Sequence, residues 1–116
     1  MAVARASSDA FTAVADPTRR AMLERLAPKD AERTAGELGE GLGLGQSTLS
    51  QHLRVLREAG LVEVRKEAQR RVYGLRPEPL AEVDEWLGRY RGLWEQRLDA
   101  LHTEVARGKR ERRSAK

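Results

Sequence analysis

The sequence contains no cysteine, so it can form neither a disulfide nor a metal or redox site built on thiolates. Aromatic residues make up only 4% of its 116 residues, so the core of the single domain that this length allows must be aliphatic. No apolar run approaches the roughly 18 residues that span a bilayer, and residues 1–15 lack the apolar core of a signal peptide. These absences predict a soluble, cytoplasmic protein without a membrane partner.

The residue combinations of an enzyme active site are missing as well. The two histidines, His52 and His102, lie far apart in the sequence, and there is no glycine-rich loop for phosphate groups. No nucleophile can be paired with a base, since cysteine is also absent. We therefore expect a binding protein that is not an enzyme and has no cofactor.

The net charge of +4 is unevenly distributed along the chain. Residues 107–116 contain six Lys or Arg and one Glu, whereas residues 1–106 contain 16 basic and 17 acidic residues. The sequence therefore predicts a folded domain over residues 1–106 and a disordered basic tail over residues 107–116, which either keeps the protein soluble or attracts phosphates. Within the domain, residues 54–76 are locally basic, with seven basic and three acidic residues.

Two short helices are predicted near the start of the chain. Ser7 or Ser8 can cap the first helix, and Asp16 followed by Pro17 is a strong start signal for the second. Pro28 ends the second helix, and a charged connector follows over residues 29–33. The apolar side chains expected to face inward are Phe11, Val14 and Ala15 on the first helix and Ala21, Met22, Leu23 and Leu26 on the second.

A helix-turn-helix is predicted over residues 34–59. Thr34 and Glu37 have the spacing of a capping box, and Gly43 follows where a left-handed turn favours glycine. The next helix runs from Gln46 to about Ala59 and turns a leucine stripe inward. Its outward face is polar but not acidic, and consists of Gln46, Ser47, Ser50, Gln51, Arg54 and Arg57.

Two alternating segments, residues 61–65 and 71–75, predict a β-hairpin whose tip spans residues 66–70. An α-helix fits the major groove of B-DNA, where Gln, Ser, Thr and Arg can contact base edges. A basic hairpin beside that helix can contact the phosphates. The combination predicts binding to double-stranded DNA, with the hairpin contributing Lys66, Gln69, Arg70 and Arg71.

A last helix is predicted after Pro77 and Pro79, with an apolar stripe of about 26 residues, roughly 39 Å. This is longer than the body of so small a domain can cover, so we expect about half of it to meet another chain. Its aromatic residues Trp86, Tyr90 and Trp94 either line a ligand pocket or pack at a dimer interface. The stripe consists of Leu80, Val83, Leu87, Tyr90, Trp94, Leu98, Leu101 and Val105.

Three motifs in this order resemble the ArsR family of bacterial repressors. They are Phe11 with Ala-Asp-Pro-Thr-Arg-Arg at 15–20, Gln-Ser-Thr-Leu-Ser-Gln-His-Leu-Arg-Val-Leu at 46–56, and Glu-Ala-Gly-Leu-Val at 58–62. The resemblance covers roughly residues 8–105 and implies a mainly α fold with a small β-hairpin (α+β), a winged helix-turn-helix. Five helices and a two-stranded wing would form each subunit of a homodimer, paired through the first and last helices.

The resemblance also implies a function, repression of transcription by the homodimer at an inverted-repeat operator. The helix from Gln46 would enter the major groove, and the hairpin would be the wing. His52 lies next to the core residue Leu53 and can instead pack at the edge of the helix. The implied DNA contacts on the helix are Gln46, Ser47, Thr48, Ser50, Gln51, His52, Arg54 and Arg57. The implied dimer contacts are Phe11, Leu80, Val83, Leu87, Tyr90, Trp94, Leu98 and Leu101.

The sequence departs from the metal-sensing members of this family, which carry a Cys-x-Cys pair on the helix that here includes residues 37–42. Asp99 and His102 are neighbours on the last helix, so two such pairs could form a four-ligand site in a dimer. An exposed ion pair is the simpler interpretation, and no metal is predicted. The inducing signal is left open. The competing interpretation of the whole chain is a winged helix that binds protein instead of DNA, for which the basic cluster at residues 54–76 would have no use.

Overall fold

The computed structural model describes the backbone of residues 9–114 and the side chains of residues 9–109. Within this part of the chain there are five helices and a small antiparallel sheet, so the predicted mainly α fold with a β wing is confirmed. Residues up to Val83 form one compact unit, and residues from Asp84 onward form another. The elements are α1 (Ala10–Val14), α2 (Pro17–Arg25), β1 (Glu32–Thr34), α3 (Ala35–Gly39), α4 (Gln46–Glu58), β2 (Val62–Glu67), β3 (Arg70–Leu75) and α5 (Leu80–Ser114).

Helix α1 begins at Ala10, and its cap lies one residue after Ser8, the later of the two predicted caps. Asp9 is the cap, and its carboxylate accepts a hydrogen bond of 2.9 Å from the backbone N–H of Thr12. The predicted caps Ser7 and Ser8 lie outside the described residues. The predicted inward face of α1 is right only for Val14, which packs against the core, because the buried side chains are the small ones of Ala10 and Ala13. Phe11 and Val14 are half-buried, and Ala15 is exposed.

The predicted start of α2 is confirmed. Asp16 caps the helix by accepting a hydrogen bond of 3.0 Å from the backbone N–H of Arg19, and Pro17 occupies the first turn, where no backbone donor is needed. Met22 and Leu26 are fully buried. They form a continuous aliphatic core with Leu38 of α3, Leu56 of α4 and Leu61, which directly precedes β2.

The region predicted to be only a charged connector contains a strand, β1. Arg33 of β1 pairs with Tyr73 of β3, and the sheet has the antiparallel order β1-β3-β2. The predicted two-stranded wing is therefore part of a three-stranded sheet. Three residues are too few to show a strand's alternation, and the pairing depends on a strand about 40 residues further on, so the local sequence carried no signal for it.

Two predicted features of the helix-turn-helix are confirmed, the capped start of α3 and the glycine turn at Gly43. Thr34 and Glu37 form both hydrogen bonds of the capping box, and Gly43 has a positive φ of 69°. Helix α3 ends at Gly39, earlier than predicted, and Gly41 also adopts a positive φ, of 77°. Helices α3 and α4 approach closely, since a Cβ on Gly39 would lie 2.9 Å from Cδ1 of Leu49.

Helix α5 is 35 residues long and ends at Ser114. Where the sequence predicts a disordered tail from residue 107, the helix continues, because this segment consists mainly of Lys, Arg and Glu, which favour helix, and contains no proline. The rings of Trp86 and Tyr90 meet edge to face with centroids 5.2 Å apart. No helix in the described part of the chain is both long enough and apolar enough to cross a bilayer.

Candidate nucleic-acid interface

Helix α4 has one apolar and one polar side. Leu53 and Leu56 are buried in the core and fix the inner side. The outer side is exposed and carries no carboxylate before Glu58. Amide, hydroxyl and guanidinium groups of this kind can donate to and accept from base edges in a major groove. The exposed side chains on this face are Gln46, Ser47, Thr48, Ser50, Gln51, Arg54 and Arg57.

Arg54 forms an ion pair with Glu58 one turn further along the same helix. Its Nε atom lies 2.9 Å from Oε1 of Glu58, and 77% of its side chain is exposed. Exposed pairs of this kind contribute only about 0.2–1 kcal/mol, because water and salt screen them. Arg54 can therefore leave Glu58 for another anion at small cost.

His52 differs from its neighbours on α4 because it is half-buried and bonded within the domain. Its Nδ1 atom lies 3.2 Å from Nη1 of Arg19 on α2. A guanidinium can only donate, so Nδ1 is the acceptor in this hydrogen bond. The structure thus places His52 at the packed edge of the helix, which is the alternative that the sequence left open.

The hairpin of β2 and β3 has a narrower tip than predicted. Glu67 and Arg70 are the last paired residues, so the loop consists of Ala68 and Gln69, where residues 66–70 were expected. Ala68 adopts a positive φ of 55°. The strands extend further than the sequence indicated because polar residues near the tip continue the ladder, although they have no apolar alternation to reveal it.

Carboxylates engage several of the wing's basic residues. Arg65 binds Glu32 of β1 through two hydrogen bonds, of 3.0 and 2.8 Å, and also contacts Glu67. These contacts raise the pKa of Arg65 above its ordinary range, and the hydrogen bonds from Arg65 lower the pKa of Glu32. Arg70 lies 3.6 Å from the same Glu67. Arg65 therefore joins the wing to β1, and its charge is offset.

Lys66 and Arg71 are different, because they face each other across the ladder on the same side of the hairpin. Both are exposed, and neither forms an ion pair with any carboxylate among the described side chains. Two like charges directly opposite each other repel, and an anion bound near them relieves this repulsion. The wing thus has one side suited to a phosphate, with the exposed Gln69 at its tip.

Sequence reasoning missed the structural role of the arginines on α2. Arg20 donates to the backbone carbonyl of Val14 at 2.8 Å, at the end of α1. Arg25 donates to the carbonyls of Glu37 and Leu38, at 3.1 and 2.9 Å, at the end of α3. The carbonyls of a helix's last turn lack partners within the helix, so these arginines satisfy them. No local signal identifies such contacts, because the acceptors are backbone groups on other elements.

Among the described residues, no group of three or more His, Asp, Glu or Cys side chains gathers in a way that could hold a metal ion. The disfavoured alternative of a site formed by Asp99 and His102 requires two chains, so one chain does not test it. The carboxylate of Asp16 also has a lowered pKa. The backbone N–H of Arg19 holds the pKa of Asp16 below its ordinary value, which matches the role of Asp16 as the cap of α2.

Comparison with known proteins agrees with this arrangement. Residues 14–65 match the family described as a helix-turn-helix domain. The chain is 42% identical over 90 residues to the HTH-type transcriptional regulator Rv2034 of Mycobacterium tuberculosis, covering 78% of this chain and 82% of that protein. It is 30% identical over 80 residues to the transcriptional repressor SdpR of Bacillus subtilis, covering 69% and 87%. Among solved structures it resembles the ArsR family transcriptional regulator RHA00566, with a TM-score of 0.63, 33% identity and coverage of 73% and 86%.

Proposed function

The chain belongs to the ArsR family of winged helix-turn-helix regulators, which bind DNA to control transcription, and we propose that it represses transcription as a homodimer on an inverted-repeat operator. As a transcriptional regulator it is not an enzyme. The observation that carries the proposal is the exposed outer face of α4, which presents hydrogen-bonding side chains without a carboxylate before Glu58. Base edges are the partners that such a face suits.

In the proposed complex α4 enters the major groove and the wing lies against the phosphates. The side chains that would contact bases are the exposed ones between Gln46 and Arg57. Lys66 and Arg71 would bind phosphate, assisted by Arg70 and by Gln69 at the tip. His52 is already bonded to Arg19, which favours a supporting role for it over a base contact.

The proposed homodimer follows from the apolar side of α5. Large side chains there are exposed to an unusual degree, from 37% for Leu98 to 64% for Trp94. Contiguous exposed apolar surface on a helix marks an interaction site. A second copy of the same helix is the partner that matches the whole stripe, and a two-fold interface of this kind is self-complementary. The exposed members of the stripe are Leu87, Tyr90, Trp94, Leu98, Leu101 and Val105, and Trp86 and Leu93 on the same helix are exposed as well.

Three residues of the predicted interface are less exposed than the rest. Leu80 is half-buried and packs against the core of the first unit, so it contributes to the fold of one subunit. Val83 and Phe11 are also half-buried. In the proposed dimer, Leu87 to Leu101 form the main contact, and Phe11 of α1 adds to it. Two copies of α4 related by a two-fold axis would then read an inverted repeat.

Repression is supported by the relative SdpR, which is named a transcriptional repressor. A dimer bound over a promoter would exclude RNA polymerase from the same DNA. Selection of bound sequences from a random duplex library tests the DNA part of the proposal, and we expect an inverted repeat whose half-sites lie about one helical turn apart. Recovery of sequences no more strongly bound than random duplex would contradict specific recognition.

A transcription assay on a promoter carrying the selected sequence then tests the direction of regulation. We expect less transcript as protein is added, and no change on a promoter with a scrambled site. More transcript would show activation in place of repression. An asymmetric selected site bound by a single chain would contradict the homodimer but leave DNA recognition intact.

A further inference from the structure

The side chain of Arg19 on α2 forms three hydrogen bonds, to two different helices. Its Nε donates to the carbonyl of Ala13 at 3.0 Å, and Nη2 donates to the carbonyl of Thr12 at 2.8 Å. Its Nη1 donates to Nδ1 of His52 at 3.2 Å. Its own backbone N–H is held at 3.0 Å by Asp16, the cap of α2. One residue of α2 therefore contacts both the end of α1 and the outer edge of α4.

The core contacts of α4 are apolar, and Leu49 and Val55 pack beside its buried leucines. Leu53 and Leu56 hold the helix to the core through apolar contacts, which do not depend on direction. A hydrogen bond is directional, and the planar guanidinium is itself held by two other acceptors. The bond to His52 therefore resists rotation of α4 about its own axis. Such rotation would move the exposed side chains relative to the base edges.

We infer that Arg19 is a positioning residue for DNA recognition, which sets the orientation of α4 through His52 while its other nitrogens hold the end of α1. This inference rests on the proposed function, since it concerns the geometry of the same DNA-reading helix. It also gives α1, which the dimer is proposed to contact through Phe11, a direct connection to α4. Arg19 acts through His52 and need not touch DNA.

Substitutions at both ends of the bond test the inference. Arg19→Lys keeps the positive charge, but one ammonium cannot reach acceptors on two elements in the geometry of the guanidinium. His52→Leu removes the acceptor, whereas His52→Asn keeps an oxygen near the position of Nδ1. Arg20→Lys is the matched control, because Arg20 donates to Val14 at the end of α1 and, among the described residues, makes no hydrogen bond to α4.

The affinity for the selected operator and for random duplex is measured for each variant. We expect Arg19→Lys and His52→Leu to weaken operator binding roughly tenfold, the effect of losing one hydrogen bond to a charged group. Affinity for random duplex should stay unchanged, since the phosphate-binding residues are intact. His52→Asn and Arg20→Lys should bind the operator within about twofold of the natural protein. Asn is smaller than His but keeps an acceptor, so normal binding by His52→Asn would show that the hydrogen bond matters and not the size of the side chain.

Nitrogen NMR of the imidazole provides a readout that does not involve DNA. In the natural protein we expect the neutral ring protonated at Nε2, and in Arg19→Lys a mixture of the two tautomers. A natural protein protonated at Nδ1 would overturn the inference, as would Arg19→Lys and His52→Leu variants that bind the operator normally. If the natural protein itself does not distinguish operator from random duplex, the proposed function fails first. Circular dichroism identifies a variant that has unfolded. If Arg19→Lys has unfolded, the comparison of operator binding by His52→Leu and His52→Asn still tests whether the bond to His52 positions α4.

Discussion

Replacement of Lys66 and Arg71 by alanine should reduce the salt dependence of operator binding by a predictable amount. Each phosphate contact that releases a counterion contributes about 0.9 to the slope of log K against log salt concentration. Each wing has these two residues without an ion pair among the described side chains, and the proposed dimer has two wings. If all four contact phosphates, the double variant should lower the magnitude of the slope by about 3.6.

The control for this experiment is the ion pair between Arg65 of β2 and Glu32 of β1. The double variant Glu32→Gln with Arg65→Gln removes one positive and one negative charge, so the net charge stays the same. Its slope should remain that of the natural protein. The slope is obtained from fluorescence anisotropy of a labelled operator over a series of KCl concentrations. Equal slopes for the Lys66–Arg71 variant and the natural protein would refute the assignment of these two residues to phosphate.

Three further predictions concern the fold and the dimer. Gly39→Ala should be less stable than Gly36→Ala by about 1 kcal/mol, because its new Cβ would lie 2.9 Å from Cδ1 of Leu49 and push the end of that side chain aside. Gly36→Ala has nothing within 4 Å and should be neutral or slightly stabilising in urea unfolding; equal destabilisation of both would contradict the packing argument. Asp16 has a lowered pKa, so its charge should stabilise the fold at neutral pH, and this contribution should disappear as the pH falls through the folded-state pKa. Asp16→Asn keeps an oxygen acceptor for the cap, so the variant should be less stable than the natural protein at neutral pH, by a difference that shrinks in acid. A difference in stability that grows as the pH falls would contradict the lowered pKa of Asp16. Trp94→Glu should produce monomers in analytical ultracentrifugation with the helix content retained, since this side chain is 64% exposed in one chain; an unchanged dimer would exclude Trp94 from the interface.

Local sequence signals predicted the elements whose determinants lie within a few residues. The cap at Asp16 and the capping box of Thr34 and Glu37 depend on side chains three residues from the donors they satisfy. Strand β1 could not be found in this way, because its partner β3 is distant in the sequence. The same reason explains α1, where the choice between Phe11 and Ala13 as the buried residue depends on the space left by other helices.

The sequence predicted which residues make up the candidate site, but not which of its cations are paired with carboxylates. The sequence identifies residues 54–76 as basic, but it does not reveal which cations already have a carboxylate partner. Arg65 and Lys66 are adjacent, yet β alternation places them on opposite sides of the hairpin. Arg65 meets Glu32, a residue of the strand that the sequence did not reveal, whereas Lys66 meets another cation. Pairing between distant elements therefore decides which charges remain available to DNA.

The excess of arginine over lysine, 18 to 4, also acquires a structural explanation in part of the chain. On α2, Arg19, Arg20 and Arg25 all donate to backbone carbonyls at the ends of neighbouring helices. Arg19 and Arg25 each serve more than one acceptor, which the planar fork of a guanidinium does better than a single ammonium. Helices as short as α1 and α3, with five residues each, leave most of their last carbonyls without helical partners. Arginines at these positions should therefore tolerate lysine poorly, and unfolding of Arg25→Lys compared with an exposed control such as Arg57→Lys measures how much of the stability depends on this contact.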